Sequence, residues 1–356
     1  MRLAIIGTGL IGTSVAMAAA RVEGVELVGW DIDPAELKIA SERSGLAEAD
    51  SLGSAVSDAD AVLVAVPVGV SQEVVNAVLE HAGPDALITD AGSTKRAVVE
   101  QTGDVRFVGG HPLAGGEVGG AASARADLFK GATWFLTPVD STAGVQLERA
   151  FRLVSDLGAK PRAVAPDVHD RILATVSHLP HVLANILVSE ASGTVSDEDE
   201  SLPATGPSFR DATRVAGAPS SIWTDIYISN AEALIERLAS VEAELANVRG
   251  MLERRDGPAL TAWNDAAGAQ KSRLAGGGGI GRSVHQIRVQ VPNRPGVLAE
   301  IALSLGQAGI DLADLQLHPA DDRATGTIVL GIEGGENVER AETLISGLGH
   351  KVSEEQ

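Results

Sequence analysis

The sequence has no cysteine among its 356 residues, which excludes disulfides, thiol nucleophiles and thiolate metal ligands. No metal is expected. Aromatic residues contribute only 3%, so the core must be built from Val, Ile, Leu and Ala through close backbone approach, a composition suited to helices packed on parallel strands. Basic residues are also in deficit. Lys plus Arg number 28 against 48 Asp plus Glu, a formal charge of -20, which repels a phosphate backbone and an anionic membrane surface alike. Nucleic acid and membrane are therefore not expected partners. No uninterrupted apolar run approaches the ~18 residues of a membrane span. The apolar, Gly-rich pattern begins at the third residue and leaves no room for a signal peptide, so the expected location is the cytoplasm. At about 150 residues per domain, the length predicts two or three domains.

Residues 1–165 alternate short Val/Ile/Leu runs with helical stretches. The runs are Leu3 to Ile6, Val25 to Trp30, Ala61 to Val66, Ala86 to Thr89, Val105 to Val108 and Thr133 to Thr137. Their unbroken apolarity is that of strands buried on both faces, which predicts an α/β doubly wound sheet. From 166 to 275 only helical periodicity remains, broken by a polar stretch from Ser196 to Ser208. Within this all-α domain, a long helix beginning near Ser221 spaces Leu234, Leu238, Val241, Leu245, Val248 and Leu252 by alternating fours and threes. That seam needs a partner helix, in the same chain or in a second copy. Residues 276–283 are too Gly-rich to pack and read as a flexible linker. Residues 284–356 then follow the order βαββαβ, the ferredoxin-like split motif.

The first strand runs into Gly7-Thr8-Gly9-Leu10-Ile11-Gly12 and an Ala-rich helix. A bare GxGxxG is weak evidence, but between a strand and a helix it is a dinucleotide signature. Gly7 permits the tight turn, Gly9 lets a pyrophosphate approach, Gly12 lets helix and strand pack, and the helix N-terminus offers free N–H groups. Asp31, at the end of the second strand, is placed to accept hydrogen bonds from the adenosine ribose. Its charge, with no Arg in the following Ile32-Asp33-Pro34, favours NAD over NADP. Val66 and Pro67, at the next strand end, join Leu10 and Ile11 as cofactor-side candidates.

Two further strand ends carry polar groups, Asp90-Ala91-Gly92-Ser93-Thr94-Lys95 and Gly109-Gly110-His111-Pro112 through Gly116. In open α/β sheets ligands bind beyond the carboxyl ends of strands, so both segments should face the nicotinamide. Ser93 reads as a helix N-cap that can also touch ligand. His111 reads either as a satisfied loop histidine or, among so many glycines, as an acid–base group close to ligand. In the helical domain, Asp170, Ala174, Ser177 and His181 fall within about 40° on a helix wheel, with Pro180 as a kink. The expectation is that this polar stripe lines a cleft while Ile172, Val176, Leu179, Leu183 and Ile186 are buried. Arg210 and Arg214 are candidates for an anionic substrate, although a surface ion pair is the commoner fate of an arginine.

Taken together, GTGLIGTS, DAGSTK, GGHPLAGGEVGG followed by LFKGATWFLTP, the HD…SHLPH helix, and FRDATR with Trp223 nine residues on resemble the prephenate/arogenate dehydrogenases of tyrosine biosynthesis. The likeness spans nearly the whole chain. It implies NAD-dependent oxidative decarboxylation of prephenate to 4-hydroxyphenylpyruvate. The ring carbinol gives hydride to NAD, and the ring carboxylate leaves as carbon dioxide. It implies His111 as the group that deprotonates the ring hydroxyl, Ser93 as one that orients it and the nicotinamide, Arg214 as the carboxylate binder, and His181 and Trp223 on the substrate side. Gly116 departs from the Ser or Thr usual there, leaving its polar contact to Glu117 or water. The resemblance further implies a homodimer formed through the helical domain. Residues 284–356 resemble an ACT domain, implying feedback by tyrosine bound near Asn293, Pro295, Gly296 and Val297. Arogenate dehydrogenase is the alternative within the class, and a catalytically silent NAD-binding amino-acid sensor the alternative outside it.

Overall fold

The structure, a computed structural model, describes residues 1–116, 118–193, 205–275, 284–292, 294, 296–310, 312–319 and 325–354. The first region runs β1 (Arg2–Ile6), α1 (Leu10–Ala19), β2 (Glu26–Trp30), α2 (Pro34–Ser44), β3 (Ala47–Glu48), α3 (Leu52–Val56), β4 (Ala61–Val64), α4 (Val68–His81), β5 (Leu87–Asp90), α5 (Arg96–Thr102), β6 (Phe107–Pro112), β7 (Thr133–Thr137), α6 (Gly144–Asp156) and β8 (Lys160–Ala163). These strands form one sheet in the order β3-β2-β1-β4-β5-β6-β7-β8. It is parallel except where β6 meets β7. The short β3 and β8 were not foreseen, since two exposed residues, or a Lys-Pro-Arg run, carry no apolar signature.

One strand boundary matters for function. Rather than ending at Val108, β6 continues through His111 to Pro112 and pairs Gly109 with Thr137, Gly110 with Leu136 and His111 with Phe135. Its glycines look like loop residues in sequence but answer a packing demand. A Cβ at Gly110 would lie 2.5 Å from the Asp90 carbonyl oxygen, the close backbone approach that glycine within a strand signals.

The helical region contains α7 (Pro166–Leu173), a π-helical turn at Ala174–His178, α8 (Leu179–Gly193), α9 (Pro207–Thr213), α10 (Ser220–Ser229), α11 (Ala231–Glu253) and α12 (Gly257–Ala275). The expected helix from Ser221 is thus two helices, broken at Asn230, whose backbone leaves the helical region at φ -115°. The stretch α7–π–α8 is continuous from Pro166 to Gly193, and by length and composition alone it is apolar enough to cross a membrane. Its burial pattern departs from expectation in part, since Ile172, Leu179 and Leu183 are half-buried rather than buried. His169, Asp170, His178 and His181 are buried, while Val176 is 60% and Ile186 46% exposed. In a straight α-helix, residues twelve apart sit about 120° apart around the axis. The wider π turn rotates less per residue than an α-helix, so it changes the angle between His169 and His181 from that value. Pro180 sits just after it, lacking the N–H that an α-helix would use to bond back to residue 176.

The last region, β9 (Val284–Pro292), α13 (Val297–Gln307), β10 (Leu312–Pro319), β11 (Thr325–Glu333), α14 (Gly335–Gly347) and β12 (Lys351–Glu354), keeps the expected βαββαβ order. Its antiparallel sheet is ordered β10-β11-β9-β12. The linker at 276–283 lies outside the described residues. The domain after it is not loosely tethered, however, because α13 and β10 pack on α6 and β8. The Gly296 amide donates to the Thr142 carbonyl at 3.2 Å, and a Cβ at Gly306 would lie 2.5 Å from the Ala163 carbonyl oxygen. Val297, Leu298, Ile301 and Leu305 share one buried cluster with Leu147, Phe151 and Val154 of α6.

Candidate active site

The glycine turn does what its spacing requires. Gly7 adopts φ +90°, a region that strains other residues, and a Cβ there would lie 2.5 Å from the Ala65 carbonyl oxygen. A Cβ at Gly12 would overlap the carbonyl oxygen of Gly7, whereas at Gly9 it would meet open space. Gly9 therefore leaves room at the mouth of α1, where free N–H groups attract phosphate. A cavity of about 570 Å³ continues from Gly7 and Gly9 past Asp31 and Ile32 to Val66, Pro67 and Val70. The Asp31 carboxylate also organises the turn, accepting from the Thr8 amide at 2.5 Å and the Thr8 hydroxyl at 3.1 Å. This shape, with bare backbone at the phosphate end and a carboxylate at the ribose end, fits a dinucleotide. Gly116 also sits on this side, since a Cβ there would touch Leu10 at 3.3 Å. Glu117 lies outside the described residues.

Beyond β5 and β6 lies a second cluster of different construction. His111 Nδ1 is 2.9 Å from Nε2 of His169, and His169 Nδ1 is 2.8 Å from Oδ1 of Asp170. Asp170 is fixed further by the amides of Lys95, which donates to the same Oδ1 at 2.8 Å, and Arg96, which donates to Oδ2 at 3.0 Å. Ser93 was expected to cap α5, but that helix has no cap from its own segment. The capping carboxylate is Asp170, from the helical region 74 residues away. Ser93 is half-buried in the turn between Asp90 and Thr94.

Asp90 and Lys95 form a fully buried ion pair. The Asp90 carboxylate also accepts from the Gly92 amide and the Gly110 amide, each at 2.9 Å, so it ties the DAGSTK turn to the strand residue preceding His111. Burial pushes the Lys95 ammonium down, with Asp90 opposing. Burial, joined by electrostatic opposition from His169, Lys95 and His178 to a further positive charge, holds His111 well below the ordinary imidazole range. His111 is therefore a neutral ring at pH 7, the form that can accept a proton. The Asp170 carboxyl is held below its usual range. Burial opposes its ionisation, but hydrogen bonds from His169 and the two amides outweigh it.

On the far side of the π turn, His181 stacks flat on Trp223, with ring centroids 3.6 Å apart, and bonds the Tyr227 hydroxyl through Nδ1. Its Nε2 is buried with no hydrogen-bond partner among the described residues. The segment after Arg214 reaches the same place, where the Gly217 amide donates to Asn185 and Asn185 to the His181 carbonyl. Arg214 itself is exposed at the end of α9, and Arg210 bonds the Thr205 carbonyl at 2.7 Å. His178, pushed down to about 4 by burial, bonds Asn230, whose amide also donates to the Asp170 carbonyl at 2.8 Å. Sequence reasoning missed His169, His178 and Asn230. The adjacency of His169 and Asp170 was the only signal available, and nothing local to it points to His111.

Comparison with known proteins follows the same division. Residues 16–162 match the family model described as prephenate dehydrogenase, nucleotide-binding domain, and residues 165–265 match prephenate dehydrogenase, dimerization domain. The chain is 30% identical over 352 residues to the prephenate dehydrogenase of Bacillus subtilis (strain 168), covering 95% of this chain and 94% of that protein. Among solved structures it is similar to the prephenate dehydrogenase of A. aeolicus in complex with hydroxyphenyl propionate and NAD+. The TM-score is 0.73 at 26% identity, covering 77% of this chain and 98% of that one. It is also similar to Synechocystis arogenate dehydrogenase, with a TM-score of 0.68 at 26% identity, covering 77% of this chain and all of that one.

Proposed function

The chain belongs to the prephenate dehydrogenase family, and from that premise we propose how its residues divide the reaction. It is an NAD-dependent oxidoreductase acting on prephenate. The pyrophosphate lies over Gly7, Gly9, Leu10, Ile11 and Gly12, the adenosine ribose meets Asp31, and Val66 and Pro67 wall the cleft. Prephenate lies between His111 and His181. Trp223 shapes its pocket, Ser93 orients the ring hydroxyl and the nicotinamide, and Arg214 with Arg210 draws the substrate carboxylates. Bound NAD supplies the hydride acceptor.

The observation that carries this reading is His111, a neutral buried imidazole at the carboxyl end of a strand beside the DAGSTK turn. Taking the hydroxyl proton on Nε2 while hydride departs from the same carbon turns the carbinol into a carbonyl. The ring carboxylate then leaves as carbon dioxide, its bonding pair aromatising the ring to a phenolate. The test is NADH formation from prephenate and from arogenate, each with NAD and NADP, in wild type and Arg214→Ala. Prephenate with NAD is the expected pair. Arg214→Ala should raise KM for prephenate by tenfold or more, consistent with the ~2–5 kcal/mol cost of stranding a charge partner. Turnover of arogenate alone would move the substrate assignment, and an unchanged KM would remove Arg214.

The exposed apolar residues of the helical region, Val176, Ile186, Ile228, Ile235, Leu245 and Leu252, support a homodimer buried on that face. The terminal βαββαβ unit supports an ACT-like regulatory role with tyrosine as effector. A cavity of about 500 Å³ lies where it meets α6, lined by Gly144, Val145, Glu148, Arg294, Val297 and Leu317 among others. Gly296 adjoins it, while Asn293 and Pro295 lie outside the described residues. Tyrosine protection of the Val145–Glu148 amides in hydrogen exchange tests the assignment, and an unprotected α6 with full inhibition refutes it.

A further inference from the structure

We propose that His169 and Asp170 form a tautomer lock and closed proton store behind His111, so that the proton taken from the substrate hydroxyl is handed back to the product oxygen at the same ring nitrogen. The proposal rests on His111 being the base. It follows from counting donors along the chain of contacts. Asp170 is an ionised carboxylate, an acceptor only, so the hydrogen in its 2.8 Å contact belongs to His169 Nδ1. A neutral imidazole carries one N–H, so His169 Nε2 is left as an acceptor. The hydrogen in the 2.9 Å contact between the two rings therefore sits on His111 Nδ1. His111 Nε2 is left with a bare lone pair. The reverse order, with His169 donating to His111, would leave Asp170 facing a lone pair and place a hydrogen on the nitrogen meant to accept one.

The chain is also closed. His169 is fully buried, and Asp170 is sealed by the Lys95 and Arg96 amides. Asp90, Lys95 and His178 are the other ionisable groups that bear on it. Among the described residues the chain ends at Asp170 on two backbone amides rather than on a further proton carrier, and the reaction needs no exit. The hydroxyl loses a proton to His111 Nε2, hydride leaves with its electron pair, decarboxylation returns an electron pair to the ring, and the phenolate oxygen regains one proton. The products are phenol, carbon dioxide and reduced cofactor, with no proton released. While the proton is held, His111 can share its Nδ1 hydrogen with His169, whose cation faces Asp170. The plain alternative is that His169 only fills space, lying edge-on to both His111 and Phe135 with centroids 5.1 and 5.3 Å apart. A phenylalanine would fill that space equally well.

The test combines three readouts. Nitrogen NMR of the ¹⁵N-histidine-labelled wild-type protein should find the hydrogen on Nδ1 and a bare Nε2 in both His111 and His169. A hydrogen on His111 Nε2 overturns the proposal. Asp170→Asn, which can turn a donor toward His169 and reverse both tautomers, should lower kcat about 10³- to 10⁴-fold. The corresponding change behind the histidine of a serine-protease triad has that size. NAD affinity and KM should stay within about threefold. Because Asp170 also caps α5, His169→Phe provides an independent variant, expected to lose about 10²-fold or more. His169→Gln, whose amide oxygen can still accept from His111 Nδ1, should recover at least tenfold of that loss. If His169→Phe stays within threefold of wild type while His111→Asn is inactive, the lock is refuted and the base stands. If His111→Asn is active too, the base assignment itself has failed.

Discussion

The two halves of the active cleft are built from different materials. The cofactor half is backbone, made of three glycines in six residues whose missing side chains create the space a dinucleotide enters, with one carboxylate bracing the turn. The reaction half is side chain. His111, His169, Asp170, Asp90 and Lys95 come from two regions of the fold, are buried, and hold one another's hydrogens. Backbone geometry tolerates change at its margins but not a single added methyl at its centre. A buried polar chain behaves oppositely, because a member can be replaced in shape only if its hydrogen-bonding sense is kept.

Substitutions at the two ends separate these halves. The largest effect is expected at His111. His111→Ala should lower kcat about 10²- to 10⁴-fold, the usual worth of a positioned acid–base group, with the dissociation constant for NAD unchanged by calorimetry. Loss of NAD binding instead would merge the halves. Acidification should strike only the reaction half. His178 is neutral when folded, with its pKa lowered from 6.5 to about 4, so between those values the unfolded chain binds the extra proton. Its contribution of about 3 kcal/mol is whole above pH 6.5 and is lost as pH falls toward 4. Denaturant melts at pH 7.5 and 5 should register the loss, and His178→Asn should flatten it.

Gly12→Ala attacks the cofactor half. Overpacking costs about 1–3 kcal/mol, and NAD should bind at least tenfold more weakly while the His111 tautomer seen by NMR is unmoved. The smallest effect sharpens the ribose end. Ile32 is 87% exposed, so Asp31→Ser with Ile32→Arg adds a guanidinium without disturbing the core. It should shift the NADP-to-NAD ratio of kcat/KM by about tenfold. The shift stays modest because Asp31 also braces Thr8. A wild type that already prefers NADP would reverse the reading of Asp31.

The same contrast explains what could be read from the sequence. The glycine turn, Asp31 and the strand–helix alternation are local, and each residue needs only its neighbours to state its purpose. His111 was found by its company of glycines, although Gly109 and Gly110 turned out to be strand residues facing the Asp90 backbone and the β7 side chains. Ser93 looked like a cap because the capping group, Asp170, is invisible at that distance in sequence. The helix wheel grouped Asp170, Ala174 and His181, which are buried, but its uniform 100° per residue passes over the five π-helical residues at Ala174–His178. The apolar stripe of that helix was expected inside, yet Val176 and Ile186 are exposed, because a helix wheel separates two faces without saying which of them the rest of the chain covers.

The π turn also makes chain length a catalytic variable. Helices ordinarily absorb point changes and resist only breakers. Here the count of residues between His169 and His181 sets how the histidine behind His111 is turned relative to the one stacked on Trp223. Losing one residue from the ordinary α-helical turns on either side would swing one end by about 100° relative to the other without altering a single side chain, whereas the same loss inside Ala174–His178 would relax the widened turn to an ordinary helix and leave the two ends nearly in phase. The arrangement is therefore sensitive to the number of residues in the helix as well as to their identity, and the widened turn is a place where one residue can be lost with little change of phase.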